Sequence, residues 1–276
     1  MLWKLVEPPK GKYFLSGFPK AGLHMLTLMC SPLADPAPPD LIASEHWCGT
    51  FAWNSFGRDW VDVDRQLRRV ANLAPGHYLK GHLGYKPEIS EFMERAGVTL
   101  VFMYRDLRDV AVSQAQHILN AWTTHLRHPA SKSYHALGSV DKVLSAVIEG
   151  LPPWPGLFER WGFYAPWLDE HWVCCVKYED ERREVARSVL GRGLERALEY
   201  ANLGYEGQLR LEQSLFQNTI DEMVAASRQT HLSPTFRKGQ PGEWQEHFTE
   251  EHKDLFKSLD VDDWLIRLGY EDDEDW

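Results

Sequence analysis

The stretch Tyr13 to Cys30, YFLSGFPKAGLHMLTLMC, decides the fold. A short apolar run, Tyr13-Phe14-Leu15, breaks at Ser16-Gly17, passes through Phe18-Pro19-Lys20-Ala21-Gly22 and resumes as Leu23, Met25, Leu26, Leu28 and Met29. That pattern predicts a buried strand, a glycine-bounded loop and a helix. Gly17 and Gly22 bracket the loop as in the first half of a phosphate-binding loop, where backbone N–H groups and a helix N-terminus attract an anion. After Gly22 comes Leu23-His24, in the place where a nucleoside triphosphatase carries Lys-Ser/Thr for its phosphates and Mg²⁺. The lysine here sits inside the loop, at Lys20. A plain Gly/Pro connection between a core strand and a core helix competes with this reading, so other stretches must decide.

Working outward, similar units recur. Val63, Leu67 and Val70 mark a helix, and His77 to Lys80 reads as a short strand ending in Gly81-His82-Leu83-Gly84. Pro87 opens a helix with Ile89, Phe92, Met93 and Ala96 on one face, and Gly97 closes it. Val98 to Tyr104, VTLVFMY, is unbroken apolar sequence, as suits a central parallel strand covered on both faces. Asp106 is placed to cap the next helix, whose stripe is Ala111, Ala115, Ile118, Leu119 and Trp122. Ser139 starts another helix, Phe158 to Leu168 reads as helical, Trp172 to Tyr178 as a buried strand, and Glu181 to about Ala226 as helices. The repeating order predicts an α/β fold of three layers, with a central, mostly parallel sheet and one domain over 1–276. Ligands bind beyond the carboxyl ends of such strands, so the residues just after Leu15, Leu79, Tyr104 and Val176 should share one edge.

Composition narrows the function classes. Thirty Lys+Arg against forty Asp+Glu give a formal charge of −10, which argues against nucleic acid and anionic membranes as partners. An anionic ligand then needs a locally basic pocket. No run approaches the ~18 apolar residues of a membrane span and the start lacks a secretory pattern, so a cytoplasmic protein is expected. Cys30, Cys48, Cys174 and Cys175 form no Cys-x-x-Cys pair and read as buried thiols. His117, His125, His128 and His135 lack a completing Cys or carboxylate at a recognised spacing, so no metal is expected. The tail from Glu271 to Trp276 reads as acidic, disordered chain.

The strand ends supply Lys20, Lys80 with His82, Arg105, and Lys177 with Tyr178, a gathering of cations that implies a polyanionic ligand. Arg105 and Ser113 are eight residues apart and could grip one phosphate if the chain bends between them; a surface ion pair of Arg105 with Asp106 or Asp109 is the alternative. His82, between glycines, is a candidate general base, against the alternative of a structural loop histidine. Arg237-Lys238-Gly239 lies in a Gly/Pro loop where paired cations can fold over a phosphate, or merely be solvated.

Together these positions resemble the sulfotransferases that use 3′-phosphoadenosine 5′-phosphosulfate (PAPS), particularly the cytosolic branch. Phe18-Pro19-Lys20-Ala21-Gly22 resembles the 5′-phosphosulfate loop, Lys80-Gly81-His82-Leu83 the segment with the catalytic base, and Tyr104-Arg105-Asp106 through Ser113 the 3′-phosphate segment. Lys177-Tyr178-Glu179-Asp180 is similar to a later strand end, and Phe236-Arg237-Lys238-Gly239 with Gly242-Glu243-Trp244 and His247-Phe248-Thr249 to the C-terminal signature. The likeness runs in order from about Tyr13 to Thr249 and implies a sulfotransferase-like P-loop fold.

It further implies sulfuryl transfer from PAPS, with adenosine 3′,5′-bisphosphate (PAP) as product and no metal, to a hydroxyl or amine of a small, apolar or aromatic acceptor. The implied catalytic residues are His82, Lys20 and Lys80. Donor contacts would come from Lys20, Ala21, Gly22, Leu23, His24, Met25, Arg105, Ser113, Tyr178, Phe216, Arg237, Lys238 and Gly239. By composition, Trp47, Phe51, Trp53, Phe56 and Trp60, with Trp122 and Trp154, could wall an apolar acceptor in the variable segments 31–60 and 120–156, or instead pin irregular chain to the core; 270–276 is set apart as the acidic tail. Ala21, Leu23, His24 and Met25 depart from the family's serine, two threonines and tryptophan. Backbone amides and the helix dipole are expected to hold the anion there, with His24 as a substitute donor. A phosphate-loop small-molecule kinase and a catalytically impaired nucleotide-binding protein of the same fold are the alternatives.

Overall fold

The strand of the opening stretch, β1 (Lys12–Gly17), lies at the centre of a parallel sheet and leads into α1 (Leu23–Cys30). The computed structural model describes residues 11–33, 46–47, 67–68, 70–123, 130–200, 213–229 and 238–276. In chain order there follow β2 (His46–Trp47), β3 (Tyr78–Gly81), α2 (Pro87–Arg95), β4 (Val98–Tyr104), α3 (Leu107–Thr123), α4 (Ser131–His135) and α5 (Val140–Glu149). A two-stranded ribbon, β5 (Gly150–Leu151) with β6 (Trp154–Pro155), precedes α6 (Leu157–Gly162) and β7 (Cys174–Lys177). The remainder is helical: α7 (Arg182–Tyr200), α8 (Gln213–Ser227), α9 (Trp244–His247), α10 (Glu250–Leu259) and α11 (Trp264–Arg267).

The sheet order is β2-β3-β1-β4-β7, and every pairing in it is parallel. Leu15 stands opposite Lys80 on β3 and Val101 on β4, so the carboxyl ends of these strands do reach one edge. Burial explains the strands' composition. Phe14, Leu15, Leu100, Val101, Phe102 and Met103 are wholly buried, because helices cover both faces, and each such side chain contributes roughly 1.5–3 kcal/mol.

Helix ends follow the local chemistry. Pro87 is in the first turn of α2 and Gly97 takes the positive φ after it. The Ser139 hydroxyl caps α5 by accepting from Lys142 N, and Thr249 with His252 forms a reciprocal box at the start of α10. The aromatic segment expected as one helix divides into α6 and a 3₁₀ turn at Ala165–Asp169, and the strand after it is the shorter Cys174–Lys177.

The acidic tail differs most from the sequence reading. Trp276 packs its ring edge-on against Trp244 and Phe256, with centroids 5.6 Å away in each case, and Glu271 pairs with Arg108. One terminal aromatic is enough to anchor an acidic stretch that composition alone marks as solvated. Lys177 is drawn into the same region: its Nζ donates to the Leu268 and Gly269 carbonyls at 3.1 Å each and lies over the Tyr270 ring. It therefore serves the C-terminal segment, contrary to its expected place among the ligand-facing cations.

Candidate functional site

The loop between β1 and α1 is shaped by close approaches. Phe18 N donates to Met103 O at 3.1 Å and Ala21 N to Phe18 O at 2.9 Å, which folds 18–21 into a tight turn with Lys20 at φ 74°. A Cβ on Gly17 would lie 2.8 Å from Met103 O. At Gly22, φ is 106° and a Cβ would lie 2.4 Å from Cδ2 of Tyr178, so only glycine lets that ring seat against the loop. Ala21 is wholly buried, Leu23 and Met25 turn into the core at 9% and 3% exposure, and His24 faces outward. The first-turn amides of α1 have no acceptor within their own helix, and that turn carries no acidic side chain.

His82 follows β3 directly. Its Nδ1 lies 2.8 Å from the Gly17 carbonyl, a contact that is attractive only when Nδ1 carries the proton. The lone pair then belongs to Nε2, the tautomer in which an imidazole accepts a proton through its far nitrogen. The adjoining Leu83 N donates to Ser16 Oγ at 3.0 Å, so two bonds tie the His82 loop to the end of β1. Lys80, half-buried on β3, stands opposite Leu15.

Arg105 leaves β4 and is buried. One of its terminal nitrogens donates to Asp109 Oδ2 at 2.9 Å and to Gln240 O at 2.8 Å, while its guanidinium lies 4.6 Å from the Tyr178 ring centroid. Arg105 Nε is buried and makes no hydrogen bond among the described residues; Glu179 Oε1 is 3.9 Å away. An orphaned donor on a buried guanidinium is suited to an anionic oxygen. The ion pair with Asp109, one of the alternatives read from sequence, is thus real but buried.

Asp109 is the residue that sequence reasoning undervalued. Besides Arg105, its carboxylate accepts from Gly242 N and Trp244 N, both at 2.9 Å, and so ties the C-terminal signature to α3. Tyr178 makes the parallel link: its hydroxyl donates to Gly239 O at 2.9 Å while its ring covers Gly22. Loop, Arg105, Tyr178 and 239–244 are therefore one connected assembly. The available signal was an acidic residue in the first turn of a helix, four positions after a strand-end arginine.

The other expected residues are placed as follows. Ser113 is half-buried on α3, and Phe216 is half-buried on α8, which packs on α1 and α7. Lys238 pairs with Glu246 at 2.8 Å and Glu243 at 3.5 Å. Ligand atoms of Glu243, Glu246 and His247 lie within 4.8 Å of one another, a spacing that suits a metal ion, but the Lys238 ammonium already supplies a cation there. Arg237, Cys48, His125, His128 and the aromatics Phe51, Trp53, Phe56 and Trp60 lie outside the described residues, as do the side chains of Trp47 and Trp122.

Burial sets the local titration. The Glu179 carboxyl is pushed up by burial, against hydrogen bonds from Tyr270 Oη and Asp106 N that favour its charge. Burial, then Asp180, push the Tyr104 hydroxyl up to about 12.

The chain is similar to known proteins. The sulfotransferase domain family matches residues 10–259 of the chain. Zebrafish (Danio rerio) sulfotransferase 6B1 is 26% identical over 184 residues, an alignment covering 66% of this chain and 56% of that protein's length. The crystal structure of mouse sulfotransferase SULT7A1 complexed with PAP aligns at a TM-score of 0.50 and 13% identity, over 90% of this chain and 83% of that one. Retinol dehydratase, solved in complex with androsterone and PAP, aligns at 0.48 and 18% identity over 92% and 80% of the two chains. Among the described residues, no helix is long and apolar enough to cross a membrane.

Proposed function

We propose, since the chain belongs to the sulfotransferase family, that it transfers a sulfuryl group from PAPS to the hydroxyl or amine of a small acceptor, with His82 as general base. The observation that carries this reading is the bond from His82 Nδ1 to the Gly17 carbonyl. On this reading the bond keeps the proton on Nδ1 and leaves the role of base to Nε2, beside the Gly17–Gly22 loop. PAPS supplies an activated sulfuryl group and a phosphate leaving group.

The chain's own residues fit such a donor. The α1 amides and Lys20 would hold the 5′ end, because a helix N-terminus and an ammonium both favour anions. Arg105 would hold the 3′-phosphate through its buried, orphaned Nε, with Ser113 and the 237–239 loop beside it. Tyr178 and Asp109 keep that guanidinium and loop in register. His82 Nε2 would take the acceptor proton as the oxygen attacks, and Lys80 would offset charge developing during transfer; one such donor is commonly worth about 3–4 kcal/mol.

The 3′-phosphate gives a direct test. Calorimetry should show PAP binding far more tightly than adenosine 5′-monophosphate, and Arg105→Gln should narrow the ratio roughly 10- to 100-fold, the usual worth of a charge-assisted hydrogen bond. Equal affinity for the two nucleotides in the unmodified protein would overturn the donor assignment.

A further inference from the structure

Three arginines are buried among the described residues: Arg105, Arg108 and Arg160. Arg105 holds Asp109, and Arg108 holds Asp106 and Glu271. Arg160, on α6 and only 8% exposed, has no carboxylate within ion-pairing distance among the described residues. Its Nε donates to Gly156 O at 3.4 Å, and its guanidinium lies 5.7 Å from the Phe18 ring centroid. Tyr134 and Tyr164 flank it, and burial pushes both hydroxyls up, so neither brings a negative charge. A guanidinium cannot shed its proton to escape burial, and an uncompensated buried charge is among the costliest features a fold can carry.

The place of Arg160 says which anion would compensate it. Its neighbours Trp161 and Tyr164 pack edge-on against Phe18, with centroids 5.1 Å and 5.3 Å away. The same segment supports the His82 loop, since Phe163 O accepts from Tyr85 N and Trp167 Nε1 donates to Leu83 O, both at 2.7 Å. Arg160 thus lies beside Phe18, on the segment that braces both the Phe18 loop and the His82 loop, and on the proposed reading the acceptor meets its base between those two loops.

We infer that Arg160 receives an anionic group of the acceptor, which makes the acceptor a hydroxylated carboxylic acid. The inference rests on the reading of the site as a sulfuryl-transfer centre and narrows its substrate class. The planar fork of an arginine matches a carboxylate in two parallel hydrogen bonds, which a neutral phenol cannot return.

The test is calorimetry on the PAP-loaded protein with a series of hydroxyphenyl and hydroxyalkyl carboxylic acids and the methyl ester of each. Acids should bind at least ~30-fold more tightly than their esters, the usual effect of losing one member of a buried charge pair. Arg160→Gln should abolish that preference and leave PAP affinity within about twofold, whereas Arg160→Lys should retain part of it. Acids and esters binding alike in the unmodified protein, or an undiminished preference in Arg160→Gln, would show a purely structural arginine. A fall in PAP affinity would assign Arg160 to the donor. Each of these three results overturns the inference. If Arg160→Gln does not fold, Arg160→Lys carries the comparison. If PAP itself does not bind, the donor reading fails, and the same titrations on the unliganded protein still decide whether Arg160 selects acids.

Discussion

Tyr178 shows how much of the candidate site one side chain can hold. Its ring fills the space a Cβ on Gly22 would need, carries Arg105 on its face and ends in a hydroxyl bonded to Gly239 O. Gly22→Ala should therefore cost ~1–2 kcal/mol for the left-handed backbone alone, more for the clash, and weaken PAP binding at least tenfold by calorimetry. A variant that melts and binds like the parent would mean the ring moves aside without consequence. Asp109→Ala should cost ~3–5 kcal/mol in chemical denaturation, because it strands a buried Arg105 and two amides; a loss below ~1 kcal/mol would show that water replaces the carboxylate. The glycine bracket was legible in the sequence, since the loop's shape is local. The bonds from Tyr178 to Gly239 and from Trp244 to Asp109 were not, because they join positions 61 and 135 residues apart with no shared period.

At the scale of elements, α3 and the C-terminal segment belong together. Arg108 on α3 packs against the rings of Trp244 at 3.9 Å and Trp276 at 4.5 Å, and pairs with Asp106 and Glu271. Trp244 follows the loop that Asp109 holds, so the tail packs behind the assembly of Asp109, Arg105 and that loop. Trp276→Ala should lower unfolding stability by ~1–3 kcal/mol through lost ring packing and cation–π contact. Denaturant titration with an unchanged midpoint would mean that the tail is ornamental. The sequence misled here for a physical reason. Acidic composition measures the drive toward solvent, whereas one tryptophan meeting two aromatic neighbours outweighs it.

Across the whole molecule, the parallel direction of the strands followed from the run of apolar strands and helices, whereas their order did not, and Val98–Tyr104 was read with its final bounds. The edge where the strand ends meet was legible for the same reason. Which cations turn into that edge was not: Lys177 goes to the C-terminal segment and Lys238 to Glu246. The buried core also sets a pH limit. Burial pushes the Cys174 and Cys175 thiols from 9.0 to about 12, so the unfolded chain releases these protons first. Stability is then held below about pH 9 and falls as pH rises toward 12, by up to about 1.4 kcal/mol per pH unit for each thiol. A melting temperature flat across that window would place the thiols in contact with water. One measurement tests the proposed sulfuryl transfer most directly: mass spectrometry of the products after incubation with labelled PAPS and a pool of phenols, alcohols, amines and hydroxy acids. The unmodified protein should sulfate a member of the pool, and His82→Ala should lose that transfer while still binding PAP. Transfer that survives in His82→Ala at most of its original rate would contradict the account.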